Sequence, residues 1–123
     1  MPPSPILRTV GGRTYTCSVE LSLQILGGKW KPVILWLLSG EGGEGEVLRF
    51  GELQRAMPRI TRKMLTQQLR ELEADRLVFR EVYAQVPPKV EYSLTDEGRS
   101  VLPVLTALRE WGRGWAGRHE QDG

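Results

Sequence analysis

The chain of 123 residues has one cysteine, Cys17, and one histidine, His119. A single thiol cannot close an intrachain disulfide, which points to a reducing compartment. One Cys and one distant His cannot fill a four-ligand zinc shell, so no metal is expected. Catalysis fails on the same shortage: His119 lies in the run GRHEQDG, where no motif pairs it with a thiol or hydroxyl. Glu71 and Glu73, two apart on a helix, cannot face each other as an acid–base pair. No catalytic residue and no cofactor are expected. Long apolar runs are missing too. The longest, Val33 to Leu38 after Pro32, is far short of the ~20 residues that span a bilayer. The opening run MPPSPILRTVGGR lacks the basic start, apolar stretch and cleavage site of a secretory signal. These absences point to a cytoplasmic protein with no membrane partner.

Charge of one sign is scarce as well. Lys and Arg number 17 against 15 Asp and Glu, a net +2 that is too small to argue for nucleic acid by itself. Its distribution says more. From Leu53 to Arg70 stand Arg55, Arg59, Arg62, Lys63 and Arg70 with no acidic residue, whereas Glu41, Glu44 and Glu46 crowd into one glycine-rich segment. With 40% hydrophobic and 26% charged residues the chain can bury a core. Its length suits one domain, and no repeat is visible.

Residues 1–16 hold three prolines and the pair Gly11-Gly12, and read as a flexible N-terminal arm. Residues 17–118 form the domain and 119–123 a disordered tail. Ser18 caps a first helix in which Leu21, Ile25 and Leu26 share a face before Gly27 and Gly28 stop it. Pro32 opens a second helix, apolar nearly all round and therefore buried. Gly40 to Glu46 is a mobile acidic loop, and Val47 to Phe50 a short strand. Phe50, Leu53 and Met57 fall at helical spacing until Pro58 ends that helix. Thr61 caps the next, which runs to about Asp75 with Leu65, Leu69 and Leu72 facing the core. Two helices joined by a tight turn form a helix-turn-helix candidate.

Leu77 to Tyr83 and Val90 to Thr95 carry the residue types and the alternation of strands, joined by Ala84 to Lys89 with the stiff pair Pro87-Pro88. That hairpin is a wing. Thr95 caps a last helix, with Asp96 and Glu97 at its positive end and Val101, Leu105, Leu108, Trp111 and Trp115 along one stripe. Gly98, Gly112, Gly114 and Gly117 weaken it. The fold class is mainly α with a small β-hairpin, a winged helix-turn-helix.

On the helix after Thr61, the side chains of Arg62, Lys63, Thr66, Gln67 and Arg70 cluster opposite the three leucines. In a major groove Arg pairs with guanine, Gln with adenine, and Thr meets the thymine methyl. Gln67 and Arg70, or Arg62, are the candidates for base reading. Arg62 and Lys63 equally suit phosphates, and Lys89 at the hairpin tip reaches the backbone or the minor groove. A polar basic face alone is also what any solvated helix presents. The order helix, turn, helix, hairpin is what turns it toward double-stranded DNA. Gly40 to Gly45 spell G-x-G-x-x-G, but after a helix and with Glu41 and Glu44 to repel a pyrophosphate, so no dinucleotide is expected. Trp111 and Trp115 suit an interface better than a ligand pocket. Trp30 and Trp36 read as core.

Several segments resemble one family. Cys17 ahead of GGKW (27–30), RFGEL (49–53), ITRKMLTQQLRELE (60–73), PPKVEYSLTDEG (87–98) and the late Trp111 together resemble the HxlR-type bacterial transcription regulators, a winged helix-turn-helix group related to MarR proteins. The resemblance covers Cys17 to Trp111. It implies a dimeric DNA-binding regulator, with the helix after Thr61 as recognition helix and the hairpin as wing. It also implies dimerisation through the first and last helices, where Leu21, Leu105, Leu108, Trp111 and Trp115 stand. Some relatives use a cysteine at the place of Cys17 to sense oxidants or electrophiles. A helix start favours a thiolate, though a lone thiol needs a bridge between protomers, a small-thiol adduct or alkylation. The other reading of Cys17 is a small buried hydrophobe. The chain departs from the family in the insertion GEGGEGEV and in Arg76, where many members carry Gly or Asn, which implies a different exit from the recognition helix. The expected function is that of a homodimeric repressor on an inverted repeat, responsive to a small-molecule or oxidant effector. The alternative is a protein-interaction module on the same scaffold.

Overall fold

The computed structural model describes residues 6–120. Where a flexible arm is expected, two strands pair: β1 (Arg8–Val10) and β2 (Arg13–Tyr15), antiparallel with Val10 opposite Arg13. Gly11 and Gly12 between them both hold positive φ, 56° and 77°, as a tight two-residue hairpin turn requires. The hairpin is tied down by its own chain. The Arg13 guanidinium donates twice to the Asp75 carboxylate, at 2.9 and 2.8 Å, and that pairing raises the Arg13 pKa. Residues 1–5 of the expected arm lie outside the described residues.

Helix α1 (Ser18–Leu26) starts at the expected cap itself, so the N-cap falls one residue earlier, on Cys17, which is extended and makes no capping bond. Glu20 reaches back to accept from the Thr16 amide at 3.0 Å. None of its residues is fully buried, and Leu21, Ile25 and Leu26 are half-buried. Helix α2 (Lys31–Leu38) carries Pro32 in its first turn and buries Ile34, Leu35 and Leu38 completely. The acidic loop is pinned rather than loose. The buried Ser39 hydroxyl donates to the Trp36 carbonyl and accepts from the Gly42 amide, while the Glu46 amide donates to the Leu38 carbonyl.

Strand β3 (Leu48–Arg49) leads into α3 (Phe50–Ala56), and a turn with buried Met57 and Ile60 leads to α4 (Arg62–Ala74). Thr61 caps α4, its Oγ1 accepting from the Met64 amide at 3.1 Å. At the far end the Arg76 amide donates to the Glu73 carbonyl and the Leu77 amide to the Leu72 carbonyl. These two bonds, with Arg76 at φ 62°, form the left-handed exit that glycine usually supplies. The exit is thus the ordinary one, made with a residue that carries a Cβ.

Strands β4 (Val78–Tyr83) and β5 (Lys89–Leu94) form the wing, and β3 joins on the other side of β5, giving the order β3-β5-β4. Val78, Tyr92 and Leu94 turn inward onto Leu65, Leu69 and Leu72 of α4, together with the apolar side chains of α2 and Leu53. The expected single last helix is two: α5 (Asp96–Arg99) and α6 (Leu102–His119). Pro103 explains the break, since it has no N–H to donate to the Arg99 carbonyl and its ring would crowd it. Gly98 is a necessity rather than a weakness there. A Cβ on it would lie 2.1 Å from the Leu77 carbonyl oxygen, so the close approach of α5 to the wing depends on its absence. The Thr95 hydroxyl fastens the same corner, donating to the Arg76 carbonyl at 2.6 Å while accepting from the Gly98 amide.

Candidate nucleic-acid interface

Burying the leucine stripe of α4 fixes which face it shows to solvent. Arg62, Lys63, Thr66, Gln67, Arg70 and Glu71 line one open concavity of about 700 Å³. Five of the six are the residues expected at a DNA groove. Their states differ. The Arg62 guanidinium lies 4.9 Å above the Phe50 ring, a cation–π contact that braces it against α3. The Thr66 hydroxyl donates to the Arg62 carbonyl at 2.9 Å, and Thr61 is occupied by its cap. Among the described residues, Lys63, Gln67 and Arg70 have no side-chain hydrogen bond or ion pair and stand exposed. Those three have their full donor capacity available to a ligand.

The wing is different. Lys89 is not at its tip but opens β5 opposite Tyr83, with Nζ 3.8 Å from a Glu91 carboxylate oxygen and 4.8 Å from the centre of the Tyr83 ring. The tip, residues 84–88, carries no charge. Glu81 and Glu91 stand directly opposite each other on the outer face. Hydrogen bonding to Glu91, with partial burial and the nearby Glu81 charge, pushes the Tyr83 phenol up to about 12. Lys89 is therefore largely engaged within the wing. The wing's exposed cation is Arg80, on the inner side of β4 in a cleft shared with Thr66, Arg70, Glu73 and Tyr92. Sequence reasoning passed over Arg80. Its pairing opposite Tyr92 in a period-two strand was the available signal.

Cys17 is exposed in the protomer, so it is not a small hydrophobe of the protomer's own core. Of the expected interface residues, Leu105 belongs to the protomer's own core at 4% exposure, so it is not free to meet a partner. Leu108, Trp111 and Trp115 are exposed by 53%, 66% and 48%, and Leu21 is half-buried. Val19 and Leu23 on α1 add further exposed apolar surface. His119 ends α6 with its ring stacked 4.2 Å from Trp115, while residues 121–123 of the expected tail lie outside the described residues. Trp30 and Trp36 pack half-buried against the core, as expected. No described helix is long and apolar enough to cross a membrane.

The model of the HxlR-like helix-turn-helix family matches residues 25–120. An uncharacterized HTH-type transcriptional regulator of Methanothermobacter thermautotrophicus is 48% identical over 114 residues, covering 93% of this chain and 83% of the relative. Among solved structures, the redox regulator HypR in its reduced form is similar at TM-score 0.76 and 48% identity, over 85% of this chain and 99% of HypR. Quinone-bound YodB from Bacillus subtilis is similar at TM-score 0.63 and 29% identity, over 79% of this chain and 97% of YodB.

Proposed function

Since the chain belongs to the HxlR-like helix-turn-helix family of transcriptional regulators, we propose that it binds double-stranded DNA as a homodimer and represses transcription from an inverted repeat. The observation that carries this reading is the state of α4. Its leucine face is wholly buried, and Lys63, Gln67 and Arg70 stand exposed beside braced Arg62. Gln67 and Arg70 read base edges, while Arg62, Lys63 and Arg80 hold phosphates. The exposed stripe of α6 together with α1 pairs two protomers, so that two recognition helices enter successive major grooves ~34 Å apart.

The exposed Cys17 is the sensor in this reading. Two Cys17 thiols, one from each protomer, give two electrons and two protons to an oxidant and form one S–S bond, or each is alkylated by an electrophile. That HypR is a redox regulator and that YodB is found with quinone bound support a response of this kind.

A fluorescence-anisotropy titration of the reduced protein tests the function. The probes are duplex from upstream of its own gene and a scrambled duplex, at low and high salt. Tight, salt-sensitive and site-selective binding is the expected result. Equal, weak and salt-insensitive binding to both would favour a protein partner for the basic face. Repetition with diamide-treated protein and with Cys17→Ser tests the sensor, which requires that the treatment alter binding only while Cys17 is present.

A further inference from the structure

Lys31, at the first residue of α2, has only 7% of its side chain exposed and is the sole charged residue buried among those described. Two effects oppose it. Burial removes the ammonium from water, and the start of a helix repels a cation. A partner must offset both, and the Lys31 Nζ lies 3.3 Å from Glu71 Oε1 on α4. Glu71 follows Arg70 directly and lines the same concavity as Arg62, Lys63, Thr66, Gln67 and Arg70. Its side chain is 45% exposed. Gln68 Nε2 donates to its other oxygen at 3.3 Å, so both oxygens are engaged by the protein. Without Lys31, a bare carboxylate would stand among the cations that attract phosphates.

We propose that Lys31 is a positioning residue for DNA binding, holding the Glu71 carboxylate against the protein and cancelling its charge so that the groove-facing side of α4 accepts anions without interruption. This rests on the DNA-binding reading above, which supplies the phosphates. Glu71 sits at the margin of the interface, and its counterion comes from a core helix 40 residues earlier in the chain. The pair is neutral. Lys31→Met leaves one uncompensated negative charge, and Lys31→Met with Glu71→Gln restores neutrality. Met keeps the length and apolar stem of the lysine, and the half-exposed Glu71 stays hydrated, so the single variant retains its fold.

The test measures binding of the full chain to a random-sequence duplex across a salt series, with thermal melts of each variant. Lys31→Met should bind about five- to tenfold more weakly at low salt, with a smaller loss at high salt. Its salt slope should flatten by about 0.9. The double variant should return affinity and slope to within about twofold of wild type. Glu71→Gln alone should melt earlier without binding more weakly, since it strands Lys31 in the core. A double variant as weak as Lys31→Met would make Lys31 a packing residue and overturn the proposal, as would an unchanged Lys31→Met. A wild type with no salt-sensitive duplex binding would remove the DNA reading and this inference with it, an outcome distinct from a binding wild type matched by its variant.

Discussion

Helices α4 and α6 both place large apolar residues at spacings of three and four, yet they treat them oppositely. In α4 every such leucine is buried by its own chain, with Leu65 and Leu72 wholly inaccessible. In α6 only Leu105 is; past it Leu108, Trp111 and Trp115 are each about half or more exposed. A completed stripe makes its opposite face a surface for function. An uncompleted one makes the stripe itself the surface. The same pattern in sequence therefore stands for two roles, and contact with the rest of the fold separates them.

The contrast can be broken most severely inside α4. Leu69→Ala should cost ~2 to 5 kcal/mol of protomer stability, read by denaturant unfolding, because the close-packed site cannot collapse onto the cavity. Trp111→Ala should leave the protomer's fold intact by circular dichroism yet weaken self-association by ~2 kcal/mol or more in sedimentation, as an exposed aromatic anchor would. Equal protomer destabilisation by both variants would erase the distinction. On the other face of α4, Gln67→Ala should lose ~1 to 3 kcal/mol on the specific duplex and nothing on random DNA, and an equal loss on both would remove Gln67 from base reading. The smallest effect falls at the exit of α4. Arg76→Gly should raise stability by ~1 kcal/mol by relieving the left-handed strain at φ 62°, with DNA affinity unchanged.

Much of this was legible because period and burial agree. The leucines of α4, the Thr61 and Thr95 caps and the alternation of the wing are local signals, and each is realised in the fold. Two further local signals mark where the fold departs from the expected arm and the expected single last helix. Gly11-Gly12 between short strands is a hairpin turn, and Pro103 interrupts a helix that otherwise runs on from Asp96. The remainder was not local. Lys31 and Glu71 are 40 residues apart, and Arg13 and Asp75 are 62 apart, so no spacing rule joins them. Lys89 shows the converse: its position near the prolines suggested reach, but the register set it against Tyr83 and beside Glu91. Leu105 shared a stripe with Trp111, and only packing against α2 assigned it to the core.

The Arg13–Asp75 clasp also orders events in time. Asp75 is synthesised 62 residues after Arg13, roughly 3 to 12 s later at translation rates of ~5 to 20 residues per second. The clasp further requires the end of α4 that presents Asp75, so this contact of the N-terminal hairpin cannot form before that helix end does. Held by one ion pair, the hydrogen bond from the Gln24 side-chain amide to the Thr14 carbonyl and the buried Tyr15, it should be the first segment to open again. Amide exchange in β1 and β2 should therefore proceed by detachment of the hairpin alone, faster than in α4 and with no need for the domain to unfold.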